Sequence, residues 1–289
     1  MNRNGVIITG IVCAAAGIAV GMGTMYGIQK KKIDFAKENS VLMEVQQILD
    51  ENGKKLPEGV DPKKASAKGY MSLFDMYTAY VDNDEEAEDS ENKKIDVEAE
   101  MINGNVLLAK INGFASVTSI SFSEKVEPLI PDASGLIIDL RNNGGGEIGE
   151  ENLISDLFLK SGVVHCFIDN EDDYDFVMGD SGNEYSLPIV ILVNGKTASA
   201  SEMMTALFMQ NYENVTVVGT QTFGKGVFQD IQPLSNGDEI KYTNGYYTVG
   251  DWECYNEIGI TPDIVLEMDE SLIGTFGDTQ LKKALELLG

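Results

Sequence analysis

The chain has 289 residues, of which 43% are hydrophobic and 24% charged, a composition typical of a folded protein with one large domain and shorter appended segments. It carries 47 acidic against 21 basic residues, a net charge of −26. A surface this acidic repels phosphate backbones, so we expect no nucleic-acid partner. Cys13, Cys166 and Cys254 are too scattered for a disulfide framework or a zinc site, although Cys166 and Cys254 are left free to pair if the fold brings them together.

Residues 5–28 form an uncharged stretch, "GVIITGIVCAAAGIAVGMGTMYGI". Its 24 residues are enough to cross a bilayer as a helix. This length and the three lysines at 30–32 favour a membrane anchor over residues 1–32, with a cleavable signal peptide as the alternative. Because basic residues flank both ends of the stretch, the distribution of charge does not give its orientation.

Residues 33–81 are predicted to be helical. The segment 35–53 has apolar residues at helical spacing and ends in glycine, and the segment 63–82, "KKASAKGYMSLFDMYTAYVD", is interpreted as a second helix. Residues 82–94, "DNDEEAEDSENKK", are almost all charged or polar and predict a solvated linker.

From residue 95 to residue 289, predicted strands and helices alternate. The strands are predicted at 105–111, 135–140, 162–168, 188–193 and 215–219. The helices are predicted at 150–160, 200–212 and 278–289. Continuous apolar runs such as "IVILV" are typical of strands that are buried on both faces, with helices outside them, so we expect an α/β core.

Two candidate sites follow buried strands. Ser199 lies at the strand-to-helix junction "NGKTASASE", where a helix N-terminus favours negative charge developing at a nucleophile. Ser199 and Glu202 also fit the capping-box pattern S-x-x-E, so a purely structural cap is the alternative. The turn "RNNGGG" at 141–146 has the glycines that let backbone N–H groups face an oxyanion or a phosphate; its alternative is a flexible turn.

The segment "GTQTFGK" at 219–225 nearly matches the phosphate loop G-x-x-x-x-G-K-[ST]. Gly226 replaces the Ser or Thr that holds Mg²⁺, and strand-like residues follow, so we expect no nucleotide. The only histidine, His165, lies among apolar residues in a predicted strand, which favours packing over catalysis. A lysine whose pKa is lowered by burial can act as the base instead, and Lys225 is the candidate, with Gln229 four residues on to orient it. An exposed lysine and an ordinary strand glutamine are the alternatives.

The motifs "DLRNNGGG", "VNGKTASASE", "GTQTFGKGVFQ" and "GITPDIVLE" occur in this order. Together they resemble the carboxy-terminal-processing (tail-specific) serine peptidases, over residues 65–81 and from 104 to 289. The resemblance implies a ClpP/crotonase-like α/β core with no cofactor or metal. It also implies a Ser-Lys dyad, in which Ser199 is the nucleophile, Lys225 the base and Gln229 the supporting residue.

The same resemblance assigns the oxyanion hole to the backbone N–H groups of Gly145, with Gly144 as the near alternative, and of Ala200. Ser201 is the other serine of the junction, and the motif favours Ser199. A PDZ domain typical of the family does not fit into the chain before the core, so we expect it to be lacking.

The function implied is a serine endopeptidase that hydrolyses polypeptide substrates through an acyl-enzyme. A non-catalytic peptide-binding module of the same fold is the alternative. Relatives act outside the cytoplasm, which implies a single-pass protein of the cell membrane, anchored by residues 5–28, with the core at 95–289 on the extracytoplasmic side. The sequence leaves the oligomeric state open.

Overall fold

The computed structural model describes residues 60–82, 97–160, 162–169, 174–179, 185–249 and 254–289. The predicted anchor at 5–28, the predicted helix at 35–53 and nearly all of the linker at 82–94 lie outside these ranges. No helix within them is long and apolar enough to span a bilayer. The chain divides into two compact units, residues 1–66 and 67–289, and the fold described here is that of the second.

The helix predicted at 63–82 is only partly correct. Helix α1 covers Pro62–Met71, and the chain then turns and enters a short strand, β1, at Ala79–Val81. The turn forms because the Asp75 carboxylate accepts the N–H groups of Tyr77 and Thr78, each at 2.8 Å. A side chain that captures backbone donors in this way ends a helix and redirects the chain.

Among the described residues, the larger sheet has six strands: β2 Val97–Ile102, β3 Val106–Ile111, β4 Gly135–Asp139, β7 Ile189–Val193, β8 Val215–Gly219 and β11 Ile264–Val265. They lie in the order β11-β8-β7-β4-β3-β2. All neighbours are parallel except β2 and β3, which form an antiparallel hairpin. Every residue of β4 and β7 is buried, as their continuous apolar runs predict.

Helices cover both faces of this sheet. They are α2 Thr118–Lys125, α3 Ile148–Ser155, α4 Ala200–Asn211 and α5 Thr279–Leu288, with 3₁₀ turns at Glu127–Asp132 and Glu270–Leu272. Successive residues of β4 point to opposite faces: Ile138 joins the cluster that contains Phe208 of α4, and Ile137 joins the one that contains Ala284 of α5. The α/β core predicted from the sequence is therefore confirmed.

The smaller sheet is antiparallel and has five strands in the described part of the chain. Besides β1, they are β5 Gly162–Asp169, β6 Tyr174–Gly179, β9 Val227–Pro233 and β10 Glu239–Thr248. Strand β10 is central: β9 pairs with it, as do β1 and β5, and β6 pairs with β5. Tyr247 of β10 packs with Met203 and Leu207 of α4, so α4 lies between the two sheets.

Candidate active site

Three loops assemble the site at one edge of the larger sheet. Strands β4, β7 and β8 are parallel neighbours, so the segments that follow them leave at the same edge, where open α/β sheets bind ligands. Asn142 and Asn194 join the first two loops through reciprocal hydrogen bonds of 3.0 Å. The Phe223 N–H joins the third loop to the Thr197 carbonyl at 3.0 Å.

Ser199 has an unusual backbone at the junction of β7 and α4. Its φ of 57° and ψ of −122° lie outside the regions that a residue with a side chain normally adopts, a conformation that costs about 1–3 kcal/mol and clusters at functional sites. The side chain is half-buried, and the Glu202 N–H donates to the Ser199 carbonyl at 2.8 Å. By contrast, Ser201 is fully buried, and its hydroxyl has no hydrogen-bond partner within the described ranges.

The Glu202 carboxylate is fully buried beneath the three loops. Its Oε2 atom accepts the backbone N–H groups of Ser199 at 2.9 Å and Lys225 at 2.8 Å. Its Oε1 atom accepts the Thr222 hydroxyl at 2.6 Å and the Gly224 N–H at 2.7 Å. Burial raises the pKa of Glu202 above its ordinary value, although these four hydrogen bonds oppose that shift. The capping-box pattern identified Glu202 only as a local partner of Ser199.

Lys225 is half-buried rather than freely solvated. Its Nζ donates to Gln229 Oε1 at 2.7 Å, so the hydrogen bond predicted between these two side chains is present. Burial lowers the pKa of Lys225, the positive charge of Lys241 lowers it further, and Asp75 opposes both. A lysine with a lowered pKa has a larger neutral fraction at a given pH and can accept a proton.

Tyr247 contacts both Ser199 and the backbone of Lys225. Its hydroxyl donates to the Lys225 carbonyl at 2.5 Å and also lies against the Ser199 side chain. Tyr247 is fully buried, and burial raises the pKa of its phenol. No direct hydrogen bond joins Ser199 Oγ and Lys225 Nζ, both of which belong to the described part of the chain.

The glycine turn lies directly against Ser199. Gly145 has a φ of +94°, and a Cβ placed on it would be 2.7 Å from the Ser199 Cβ and 3.0 Å from the Ala200 nitrogen. The Gly145 N–H donates to Asn143 Oδ1 at 2.9 Å, whereas a Cβ on Gly144 would meet no atom within 4 Å. Ala200 is the first residue of α4, where an N–H has no acceptor inside the helix. Gly145 and Ala200, the two predicted oxyanion donors, are thus neighbours.

Strand β9 begins directly after the near-match to the phosphate loop, where such a loop would be followed by a helix whose N-terminus faces phosphate. Cys254 carries a free thiol that donates to the Gly226 carbonyl at 3.4 Å. His165 lies in β5, and its side chain and that of Cys166 are outside the described part of the structure. Within the described ranges, no three His, Cys, Asp or Glu side chains come together as a metal-ligand set.

Known proteins resemble this chain in sequence. Residues 105–266, more than half of the chain, match the model of peptidase family S41. The chain is 36% identical to the carboxy-terminal-processing protease of Bartonella bacilliformis over 157 residues, which are 51% of this chain and 36% of that protein. It is 28% identical to the carboxy-terminal processing protease CtpA of Bacillus subtilis over 232 residues, which are 78% of this chain and 49% of that protein. The chain thus spans half or less of the length of these relatives.

Solved structures resemble it as well. The photosystem II D1 C-terminal processing protease superimposes with a TM-score of 0.52 and 26% identity, covering 60% of this chain and 45% of that one. A lipoprotein from Streptococcus agalactiae superimposes with a TM-score of 0.64 over 85% of this chain and 87% of its own, and at 19% identity it supports the fold alone. The match to the family model and the similarity to carboxy-terminal-processing proteases agree with the α/β core, and the chain belongs to peptidase family S41.

Proposed function

We propose that this protein is a serine endopeptidase that hydrolyses peptide bonds in polypeptide substrates, with Ser199 as nucleophile and Lys225 as general base. The observation that supports this most strongly is the conformation of Ser199: a half-buried hydroxyl on a strained junction beside Gly145. A serine needed only to cap α4 would have no reason to occupy this backbone region.

In the reaction, neutral Lys225 takes the proton of Ser199 Oγ as this oxygen attacks the substrate carbonyl. The lysine turns from Gln229 towards Ser199 to do so, because its Nζ is bonded to Gln229 in the resting arrangement. The ammonium then gives the proton to the leaving amine, an acyl-enzyme remains on Ser199, and water hydrolyses it.

The Ala200 N–H and an N–H of the glycine turn stabilise the oxyanion, where a single donor is often worth ~3 kcal/mol. Because Asn143 already occupies the Gly145 N–H, either this bond is released when substrate binds or Gly144 supplies the donor.

The test uses the full chain purified in mild detergent, with casein as an unstructured substrate and a fluorophosphonate as a serine probe. We expect Ser199→Ala and Lys225→Ala each to lower the cleavage rate by roughly 10³-fold or more. Ser201→Ala is the matched control and should keep the wild-type rate, because that hydroxyl is fully buried and out of reach of a substrate. Wild-type cleavage by Ser199→Ala overturns the proposal. A folded wild type that neither cleaves casein nor reacts with the probe points to the peptide-binding module.

We further propose that residues 5–28 anchor the protein in the cell membrane, with the peptidase core on the extracytoplasmic side. The uncharged length of this stretch and the lysines that follow it support the anchor. Membrane fractionation and protease digestion of intact cells test it. Recovery of the full chain in the soluble fraction, or protection of the core in intact cells, contradicts it.

A further inference from the structure

A turn formed by residues 75–78, named here the Asp75 turn, contacts the Lys225–Gln229 pair. We propose that the Asp75 turn is a positioning element of the active site: the Tyr77 carbonyl fixes the orientation of the Gln229 amide, and the Tyr77 ring covers the amine of Lys225. This inference rests on the proposed function in that it takes Lys225 as the base. It assigns a role in the site to a segment well over a hundred residues before the lysine.

The turn holds its shape through its own side chains. Asp75 Oδ1 accepts the N–H groups of Tyr77 and Thr78 at 2.8 Å, and Asp75 Oδ2 accepts the Thr78 hydroxyl at 3.0 Å. The Thr78 hydroxyl in turn accepts the Thr243 N–H of β10 at 3.4 Å. Strand β1 follows directly and pairs with β10, so the turn is held against the smaller sheet from which Gln229 projects.

The Tyr77 carbonyl decides which end of the Gln229 amide faces the lysine. Gln229 Nε2 donates to this carbonyl at 2.5 Å, which leaves Oε1 to accept from Lys225 Nζ at 2.7 Å. An amide has one donor end and one acceptor end. Without the Tyr77 carbonyl the amide is free to rotate, and a rotated amide would donate to the lone pair with which neutral Lys225 accepts the serine proton.

The Tyr77 ring acts on the lysine itself. Lys225 Nζ lies 5.0 Å from the ring centroid, within the range of a cation–π contact. The ring displaces water from the amine, and burial is the largest cause of the lowered pKa of Lys225. The face of the same ring also attracts the ammonium, an effect of opposite sign that limits the cost of the cation formed by proton transfer. We take loss of water to be the larger of the two effects of the ring, so that it favours the neutral base.

Charged groups from several elements face this pair. Lys241 of β10 lowers the pKa of Lys225, whereas Asp75 raises it. Glu202 of α4, Glu257 and Asp75 act on Tyr77: burial raises the pKa of its phenol, and these three carboxylates raise it further. Removing the charge of Asp75 should therefore lower the pKa of Lys225, whereas removing the turn should raise it. The two effects can be separated by mutation.

The experiment compares four variants of the full chain: Tyr77→Phe, Tyr77→Ala, Asp75→Asn and Asp75→Ala. One readout is the pH profile of kcat/KM for a peptide substrate. The second is the pH dependence of Lys225 modification by trinitrobenzenesulfonate, mapped by mass spectrometry, which needs no catalysis. Thermal unfolding checks that each variant is folded. Asp75 is exposed, so its variants keep the test decisive if Tyr77→Ala does not fold.

We expect Tyr77→Phe, which keeps the ring, to stay within about twofold of wild type in kcat. Tyr77→Ala should lower kcat by roughly 30-fold with little change in KM, and move both the acidic limb and the labelling midpoint to higher pH. Asp75→Asn keeps the acceptor of the turn but loses its charge, so both midpoints should move to lower pH. Asp75→Ala loses the turn, and its kcat should fall as in Tyr77→Ala.

Two results separate this inference from the proposed function. If wild type cleaves substrate but Tyr77→Ala leaves kcat and both midpoints unchanged and Asp75→Ala leaves kcat unchanged, the positioning role is wrong and the peptidase remains. If wild type cleaves nothing, yet the labelling midpoint of Lys225 moves in Tyr77→Ala as expected, the positioning role stands and the peptidase proposal fails.

Discussion

The backbone N–H groups of Ser199 and Lys225 donate to the same atom, Glu202 Oε2, at 2.9 and 2.8 Å. The two residues come from loops that follow different strands, and one buried carboxylate oxygen sets their spacing. Because the carboxylate is fully buried and has four donors, it is held in place more firmly than a surface side chain. Catalysis by a dyad depends on such spacing, since a displacement of about 1 Å can cost about 10²-fold in rate.

Glu202→Gln tests this carboxylate. The amide group places a donor where the carboxylate accepts backbone N–H groups, so at least one buried N–H loses its partner. We expect kcat to fall by roughly 100-fold and the free energy of unfolding to fall by about 2–3 kcal/mol, measured by peptide hydrolysis and urea titration. Unchanged activity and stability would show that Glu202 is only a local cap.

Thr222 provides a matched pair of variants for the same network. Its hydroxyl donates to Glu202 Oε1 and accepts the Ile260 N–H, each at 2.6 Å. Thr222→Ser keeps this hydroxyl and should behave as wild type within about 1 kcal/mol, whereas Thr222→Val removes it and should lose about 1–3 kcal/mol. Equal unfolding midpoints for the serine and valine variants would contradict the role given to the hydroxyl.

Gly145→Ala should lower activity strongly, whereas Gly144→Ala should change it little. At Gly145 the φ of +94° disfavours any side chain, and the new Cβ would be 2.7 Å from both the Ala198 carbonyl oxygen and the Ser199 Cβ. At Gly144 the added methyl meets open space. We expect a loss of roughly 100-fold or more in kcat/KM for Gly145→Ala and less than about threefold for Gly144→Ala. Equal activity of the two variants would overturn the placement of the glycine turn beside the serine.

The sequence predicted the buried part of the fold well and the half-exposed part poorly. Strands β4 and β7 were recognised because burial on both faces leaves a continuous apolar run. Strand β10, "EIKYTNGYYT", was missed because most of its residues are only half-buried and follow no clear alternation. The helix predicted at 150–160 ends at Ser155, since apolar residues beyond that point pack from a turn rather than from a helix.

The same distinction applies to the site. The sequence predicts Ser199, Lys225 and Gln229 as site residues because each lies in a short motif of the chain. The contact of Tyr77 with Gln229 joins residues 152 positions apart, and that of Glu202 with Lys225 joins residues 23 positions apart. A short sequence motif cannot predict contacts between residues so far apart in the chain. The capping-box pattern predicts a contact of Glu202 with Ser199, but only the folded structure shows that Glu202 also accepts the N–H group of Lys225.

Asp278→Asn should destabilise the protein strongly. Burial alone would raise the pKa of Asp278, but hydrogen bonds from the buried Arg141 guanidinium, together with the N–H groups of Leu281 and Gly274, lower it. The Arg141 guanidinium also donates to Asp139. It therefore connects the start of the glycine turn to Asp278, the N-cap residue of α5. Weakening one partner of a buried charge typically costs about 3–5 kcal/mol.

Urea unfolding at neutral pH measures this loss. The lowered pKa means that Asp278 stabilises the fold above its ordinary pKa of 3.8 and that this contribution is lost as pH falls below it, so the deficit of the variant should shrink in acid. Lys283→Ala, which removes an exposed pair with Glu286, is the control and should cost less than about 1 kcal/mol. An Asp278→Asn variant as stable as this control would contradict the role of the ion pair.

Glu151→Gln should stabilise the protein at neutral and alkaline pH. Glu151 is fully buried in α3; its Oε1 accepts the Ser155 hydroxyl, and its Oε2 has no hydrogen-bond partner within the described ranges. Burial raises the pKa of Glu151 from 4.5 to about 8, and the Ser155 hydrogen bond opposes this only in part. The folded protein therefore holds a proton on Glu151 between these two pH values that the unfolded chain releases.

It follows that the contribution of Glu151 to stability is complete below pH 4.5 and is lost as pH rises to about 8. A glutamine mimics the protonated acid and does not titrate, so the variant should show a flatter dependence of unfolding free energy on pH and should exceed wild type at pH 9. Calorimetry at pH 5, 7 and 9 measures both curves. Glu124→Gln, an exposed change on α2, should keep the wild-type slope. If Glu151→Gln also keeps it, Glu151 does not hold a proton in the folded protein, and the stabilising effect expected of the glutamine is wrong.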